Sequence, residues 1–117
     1  YPPLTRLANY VESAKIGMNS FDFKRGCLVG NLGQEVDLLP ESFRQVLINI
    51  FFSWQQRVAV CLQEAKTLGH ISPTADCELL AECFWVGWEG AVSRVRLVQD
   101  TKPIDNYFNH FIASLSK

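Results

Sequence analysis

Cys27 is the side chain whose neighbours point most directly to chemistry. It follows Gly26 at the start of a predicted short helix, and Lys24 and Arg25 stand just before it. Unpaired N–H groups at a helix start and nearby positive charge both favour a thiolate, so this thiol can serve as a sensor of electrophiles or oxidants. The alternative is a small buried residue that packs the short helix. The aromatics Phe21, Phe23, Phe51, Trp54, Trp85 and Trp88 are enough to line a small-molecule cavity. Trp54 and Trp88 each add an indole N–H donor, and Asn31 can donate and accept. Cys27, Asn31, Phe51, Trp54 and Trp88 are therefore the candidate contacts for a small molecule, although most of the aromatics must be plain core.

Other chemistry finds little support. Cys27, Cys61, Cys77 and Cys83 form no C-x-x-C pair, and His70 and His110 are far from them in sequence, so no metal site is expected. The even number of cysteines permits two disulfides. Three of the four fall in helical, apolar contexts, and reduced thiols in a cytoplasmic protein are the better reading. Gly26, Gly30 and Gly33 lack the G-x-G-x-x-G spacing of a phosphate loop, and no Gly-Lys-Ser follows. On a helix they share one face, which suits close packing against a neighbour. Glu35 and Glu89 read as structural partners for Arg44, Arg94 or Arg96. No nucleophile–base pair stands at close range, so neither an enzyme nor a cofactor is expected.

The whole composition is that of one ordinary globular domain. The chain has 117 residues, enough for one domain, with 11 Lys and Arg against 12 Asp and Glu. A net charge of −1 gives no electrostatic clamp for nucleic acid or anionic lipid. Hydrophobic residues at 48% and charged residues at 20% are ordinary globular values. The best apolar run, Val46 to Phe52, is cut by Asn49 and falls well short of a membrane span of about 18 residues. The chain opens on Tyr rather than Met, without a signal-peptide pattern, and is read as a fragment or processed product.

Every periodic stretch has the helical period. A first helix begins at Pro2-Pro3, carries the stripe Leu4, Leu7, Ala8, Val11, Ala14, and ends at Asn19-Ser20. A short second helix is predicted from Cys27 to Val36. A third runs from Pro40-Glu41 to Gly69 with Phe43, Leu47, Ile50, Trp54, Val58, Cys61, Ala65 and Leu68 on one face. A fourth spans about Thr74 to Gln99, and a fifth follows Pro103 and carries Ile104, Phe108, Phe111, Ile112 and Leu115. The expectation is an all-α, five-helix bundle.

From Leu79 to Val98 the fourth helix is apolar or small on nearly every side. Such a helix is buried on more than one side. In so small a bundle, one of those sides should meet a second copy. The expected arrangement is a symmetric homodimer with a four-helix interface built from Phe84, Gly87, Ala91 and Val95 of this helix and Phe108 and Phe111 of the last. The alternative is a helix wholly enclosed by its own chain.

Three blocks then carry a resemblance. Gly26-Cys27-Leu28-Val29-Gly30-Asn31-Leu32-Gly33-Gln34-Glu35-Val36 is similar to the short-helix motif of TetR-family transcriptional regulators. The long helix with Phe52, Trp54 and Leu62-Gln63-Glu64-Ala65, followed by Gly69, matches next. Phe84-Trp85-Val86-Gly87-Trp88-Glu89-Gly90-Ala91 is the third block. Their order and spacing agree over essentially the whole chain and resemble most closely the branch of AcuR-like and NemR-like repressors. The resemblance implies a C-terminal effector-binding and dimerisation domain that reaches DNA only through an N-terminal helix-turn-helix domain with no counterpart here. A homodimer, a small-molecule effector and no membrane partner follow as expectations. A helical dimerisation or adaptor module without a ligand pocket is the alternative.

Overall fold

The computed structural model describes residues 2–20 and 40–116. Among these residues the secondary structure is four helices and no strand: α1 (Pro3–Ser20), α2 (Glu41–Thr67), α3 (Cys77–Val98) and α4 (Lys102–Ser114). The expected short helix from Cys27 to Val36 lies outside the described residues.

Each boundary has a local cause. Pro3 opens α1, where its missing N–H removes nothing from the helix. Pro40 precedes α2, and Gly69 ends it at a φ of 79°. There the Gly69 N–H donates to the Lys66 carbonyl at 3.1 Å and the His70 N–H to the Ala65 carbonyl at 2.8 Å, closing the carbonyls of the last turn. The link that follows is pinned at several points. Ile71 is buried, the Ser72 N–H donates to Leu115 O at 3.0 Å, and Lys66 Nζ donates to Ala75 O at 2.9 Å. The helix expected from Thr74 begins three residues later. Ser72-Pro73 holds a turn, and Asp76 caps α3 by accepting from the Leu79 N–H at 3.2 Å.

The helix α3 packs against α2 on one side and α4 on another, while α1 lies on α2. Its buried residues Ala81, Phe84, Trp85, Trp88, Ala91, Val92 and Val95 supply much of the core. Leu62 and Ala65 of α2 and Ile104, Phe111 and Leu115 of α4 and its end meet them.

Gly87 has a specific task in this packing. A Cβ there would overlap the ring of Tyr107 on α4. The missing side chain lets that ring lie against the backbone of α3, where the Tyr107 hydroxyl donates to the Phe84 carbonyl. Gly87, expected at a subunit interface, thus faces α4 of its own subunit.

Two variants test this lock. Gly87→Ala should destabilise the protein by about 1–3 kcal/mol through overpacking, despite a gain of about 1 kcal/mol in helix propensity. Tyr107→Phe should lose about 1 kcal/mol at neutral pH. Burial pushes the Tyr107 hydroxyl above its ordinary value of 10.0, so its contribution is complete below that pH and is lost as pH rises beyond it. Denaturant melts at pH 7 and pH 11 should therefore show a smaller alkaline loss in Tyr107→Phe than in the parent.

Candidate functional site

A cavity of about 370 Å³ opens where α1, α2 and α3 meet. Among the described residues its walls are Arg6, Leu7 and Tyr10 from α1, Trp54, Arg57, Val58 and Cys61 from α2, and Phe84 and Trp85 from α3. The spacing explains the grouping. Residues 54, 57, 58 and 61 fall on one face of α2, and residues 6, 7 and 10 on one face of α1.

Aromatic rings form the inner wall. Trp54 and Trp85 lie 5.2 Å apart between centroids at 37°, and Tyr10 meets Trp85 edge-on at 6.1 Å. Phe84 packs perpendicular to Trp85 at 5.2 Å and backs the wall from the core. The Trp85 indole N–H is buried and has no hydrogen-bond partner among the described residues.

The polar groups differ in how they are engaged. The Arg6 guanidinium pairs with Glu64 of α2, and this hydrogen bond holds its pKa above the ordinary value. Cys61 Sγ donates to the Pro3 carbonyl at 3.0 Å. Burial pushes the Cys61 thiol up, against a smaller opposing pull from Arg6, so it is a protonated, weak nucleophile at neutral pH. Arg57 has no carboxylate partner among the described residues. Among the described residues, no cluster of His, Cys, Asp and Glu could hold a metal ion.

The expected effector contacts fall in three groups. Trp54 lines the cavity. Phe51 stands one turn earlier on α2, edge-on to Trp54 at 5.8 Å, and Trp88 is buried behind the wall against Tyr10, Phe84 and Trp85. Cys27 and Asn31 lie outside the described residues. Arg6, Tyr10, Arg57 and Cys61 were not anticipated. One signal for Arg57 was available: it is the single charged residue between Arg44 and Glu64 in an apolar helix.

The expected interface residues are largely consumed inside the subunit. Phe84, Ala91, Val95 and Phe111 are buried in its own core, and Phe108 is half-buried against Phe84. The reason is geometric, since 84, 88, 91 and 95 share one helical face and the large aromatics claim it. The opposite face of α3 carries Leu79, Cys83, Val86, Gly90 and Leu97, all exposed; Val86 is 69% and Leu97 77% accessible.

The comparisons with known proteins agree with this architecture. The family model for the tetracyclin repressor-like C-terminal domain matches residues 3–111. The transcriptional regulator AcuR of Cereibacter sphaeroides is 44% identical over 109 residues, which are 93% of this chain and 50% of that protein. The HTH-type transcriptional repressor DhaR of Mycobacterium sp. (strain GP1) is 29% identical over 106 residues, 91% of this chain and 52% of that protein. The crystal structure of a regulatory protein TetR from Rhodobacter sphaeroides superposes with a TM-score of 0.94 at 42% identity, covering 97% of this chain and 60% of that one. The chain thus spans about half the length of the curated relatives it matches. It belongs to the TetR family of transcriptional regulators, in which it corresponds to the C-terminal domain.

Proposed function

We propose that residues 1–117 form the effector-sensing and dimerisation domain of a TetR-type repressor acting in the cytoplasm. A small molecule in the cavity shifts a homodimer between states that hold two DNA-binding heads at, or away from, the spacing of an operator. Those heads belong to the part of the longer relatives that this chain does not span.

The observation that supports this reading is the division of labour on α3. Phe84 and Trp85 form the cavity wall, while Cys83 and Val86, their immediate neighbours, belong to the exposed apolar stripe on the opposite face. A ligand that presses on the wall moves the same stretch of helix that offers its outer face to a second copy. Gly90 on that face has open space around it, which lets another backbone approach. The interface is therefore assigned to Leu79, Cys83, Val86, Gly90 and Leu97, in place of the buried face. Only a ligand that binds one arrangement of the dimer more tightly can shift the balance. An adaptor without a pocket has no use for an aromatic cavity of about 370 Å³, so the cavity favours the sensing role.

Two measurements test the two halves of this reading. Sedimentation velocity should find the parent chain dimeric and Val86→Glu at least tenfold weaker in self-association, about 1.4 kcal/mol or more, with unchanged helix content. A monomeric parent at high concentration would contradict the dimer. Thermal melting against small apolar compounds should find some that stabilise the fold, by roughly 2.7 kcal/mol at a hundredfold excess over Kd. No stabilisation by any of them would contradict ligand sensing and leave the dimer standing.

A further inference from the structure

We propose that the cavity takes an amphiphilic monoanion, a single carboxylate on a compact aromatic or branched hydrocarbon body, and that Arg57 is the group that receives the carboxylate. The inference rests on the reading of this cavity as the effector site and adds the chemical class of the effector.

The charges around the cavity carry the argument. Its described walls contain two cations, Arg6 and Arg57, and no carboxylate. They are not equivalent. Arg6 is committed to Glu64, which ties α1 to α2. Arg57 has no such partner among the described residues and sits on the same wall as Trp54 and Cys61, one helical turn from each. The described walls therefore present one uncompensated positive charge, that of the exposed Arg57. A cationic ligand would meet the unpaired Arg57 guanidinium with no carboxylate among the described walls to receive it. A neutral ligand would leave Arg57 without a gain. A carboxylate meets the planar fork of a guanidinium with two parallel hydrogen bonds, which are stronger than neutral ones.

The remaining surface sets the body of the ligand. Leu7, Trp54, Val58, Phe84 and Trp85 present hydrocarbon and ring faces. A volume of about 370 Å³ is near the small end for ligand pockets, which suits one ring or a short branched chain. The buried Trp85 N–H, without an acceptor among the described residues, leaves a further donor in the same wall. A phosphate dianion needs more donors than a single free guanidinium, and no lysine belongs to the described walls.

Tryptophan fluorescence provides the test, because Trp54 and Trp85 are both in the wall. The intact chain is titrated with 3-phenylpropanoate and 4-methylpentanoate, and with the uncharged primary amide of each. The expected result is binding of the acids at least tenfold tighter than of their amides, with the preference lost in Arg57→Gln. It should be kept in Lys102→Gln, which removes an exposed charge that does not line the cavity. Arg57→Lys retains the charge without the fork and should fall between. Equal binding of acid and amide to the parent chain, or a preference that survives in both Arg57 variants, overturns the assignment of an anion and leaves the effector cavity in place. If neither acids nor amides alter fluorescence or melting temperature up to their solubility limits, this proposal and the reading of the cavity as an effector site fall together. The comparison of acid with amide in the parent decides the matter even if Arg57→Gln does not fold.

Discussion

Phe84, Trp85 and Trp88 of α3 pack against three different helices, and that packing sets where everything else in the molecule sits. Phe84 lies 5.3 Å from Phe111 and 6.0 Å from Tyr107, both on α4. Trp85 meets Trp54 of α2, and Trp88 meets Tyr10 of α1 at 5.7 Å. Full burial of one such side chain contributes about 1.5–3 kcal/mol, and favourable ring pairs add about 0.5–1.5 kcal/mol each. The Tyr107 hydroxyl on the Phe84 carbonyl then fixes the depth at which α4 approaches, with Gly87 leaving room for the ring.

The cavity follows from the same arrangement. Flat, stiff rings on α2 and α3 meet at their faces and edges, and the space they leave beneath α1 is too large for the neighbouring Leu7 and Val58 to fill. Protein interiors are close-packed, and an unfilled volume reduces stability. α1 closes this space with Leu7 and Val11 buried in the core and with polar ties toward its two ends. Near its start are the Cys61–Pro3 hydrogen bond and the Arg6–Glu64 pair; farther along, Lys15 Nζ reaches Asp105 of α4 at 2.5 Å. The ion pairs are exposed and contribute little individually.

The four described helices were legible in the sequence, three of them because Pro3, Pro40, Gly69 and Pro103 mark their ends. The start of α3 was placed three residues early, since apolar period alone does not distinguish a Ser-Pro turn with an Asp cap from a first helical turn. Trp54 was legible as a cavity residue through its type and its stripe. Arg57 stood out only as a lone charge in an apolar stretch, because a wheel gives the face of a residue and not which neighbour stands opposite. The assignment of the subunit contact to Phe84, Ala91 and Val95 followed the largest side chains. A helix apolar on both faces gives no indication of which face the subunit keeps. The aromatic side went inward because α1, α2 and α4 all had rings to set against it, and the smaller side of Leu79, Cys83, Val86, Gly90 and Leu97 stayed outside.

On the proposed reading, helix α3 has two tasks, a wall for the cavity inside and a contact for a second copy outside. The most direct test is cross-linking at Cys83, which is exposed in the middle of the outer stripe. With Cys27, Cys61 and Cys77 replaced by serine, a short bis-maleimide should join two chains rapidly through Cys83. A cysteine introduced by Thr67→Cys at the exposed end of α2, in a chain that also carries Cys83→Ser, should not do so. Efficient cross-linking at position 83 alone is the result this account predicts. Chains that remain single when Cys83 is the only thiol, at concentrations where they are otherwise folded, would contradict it.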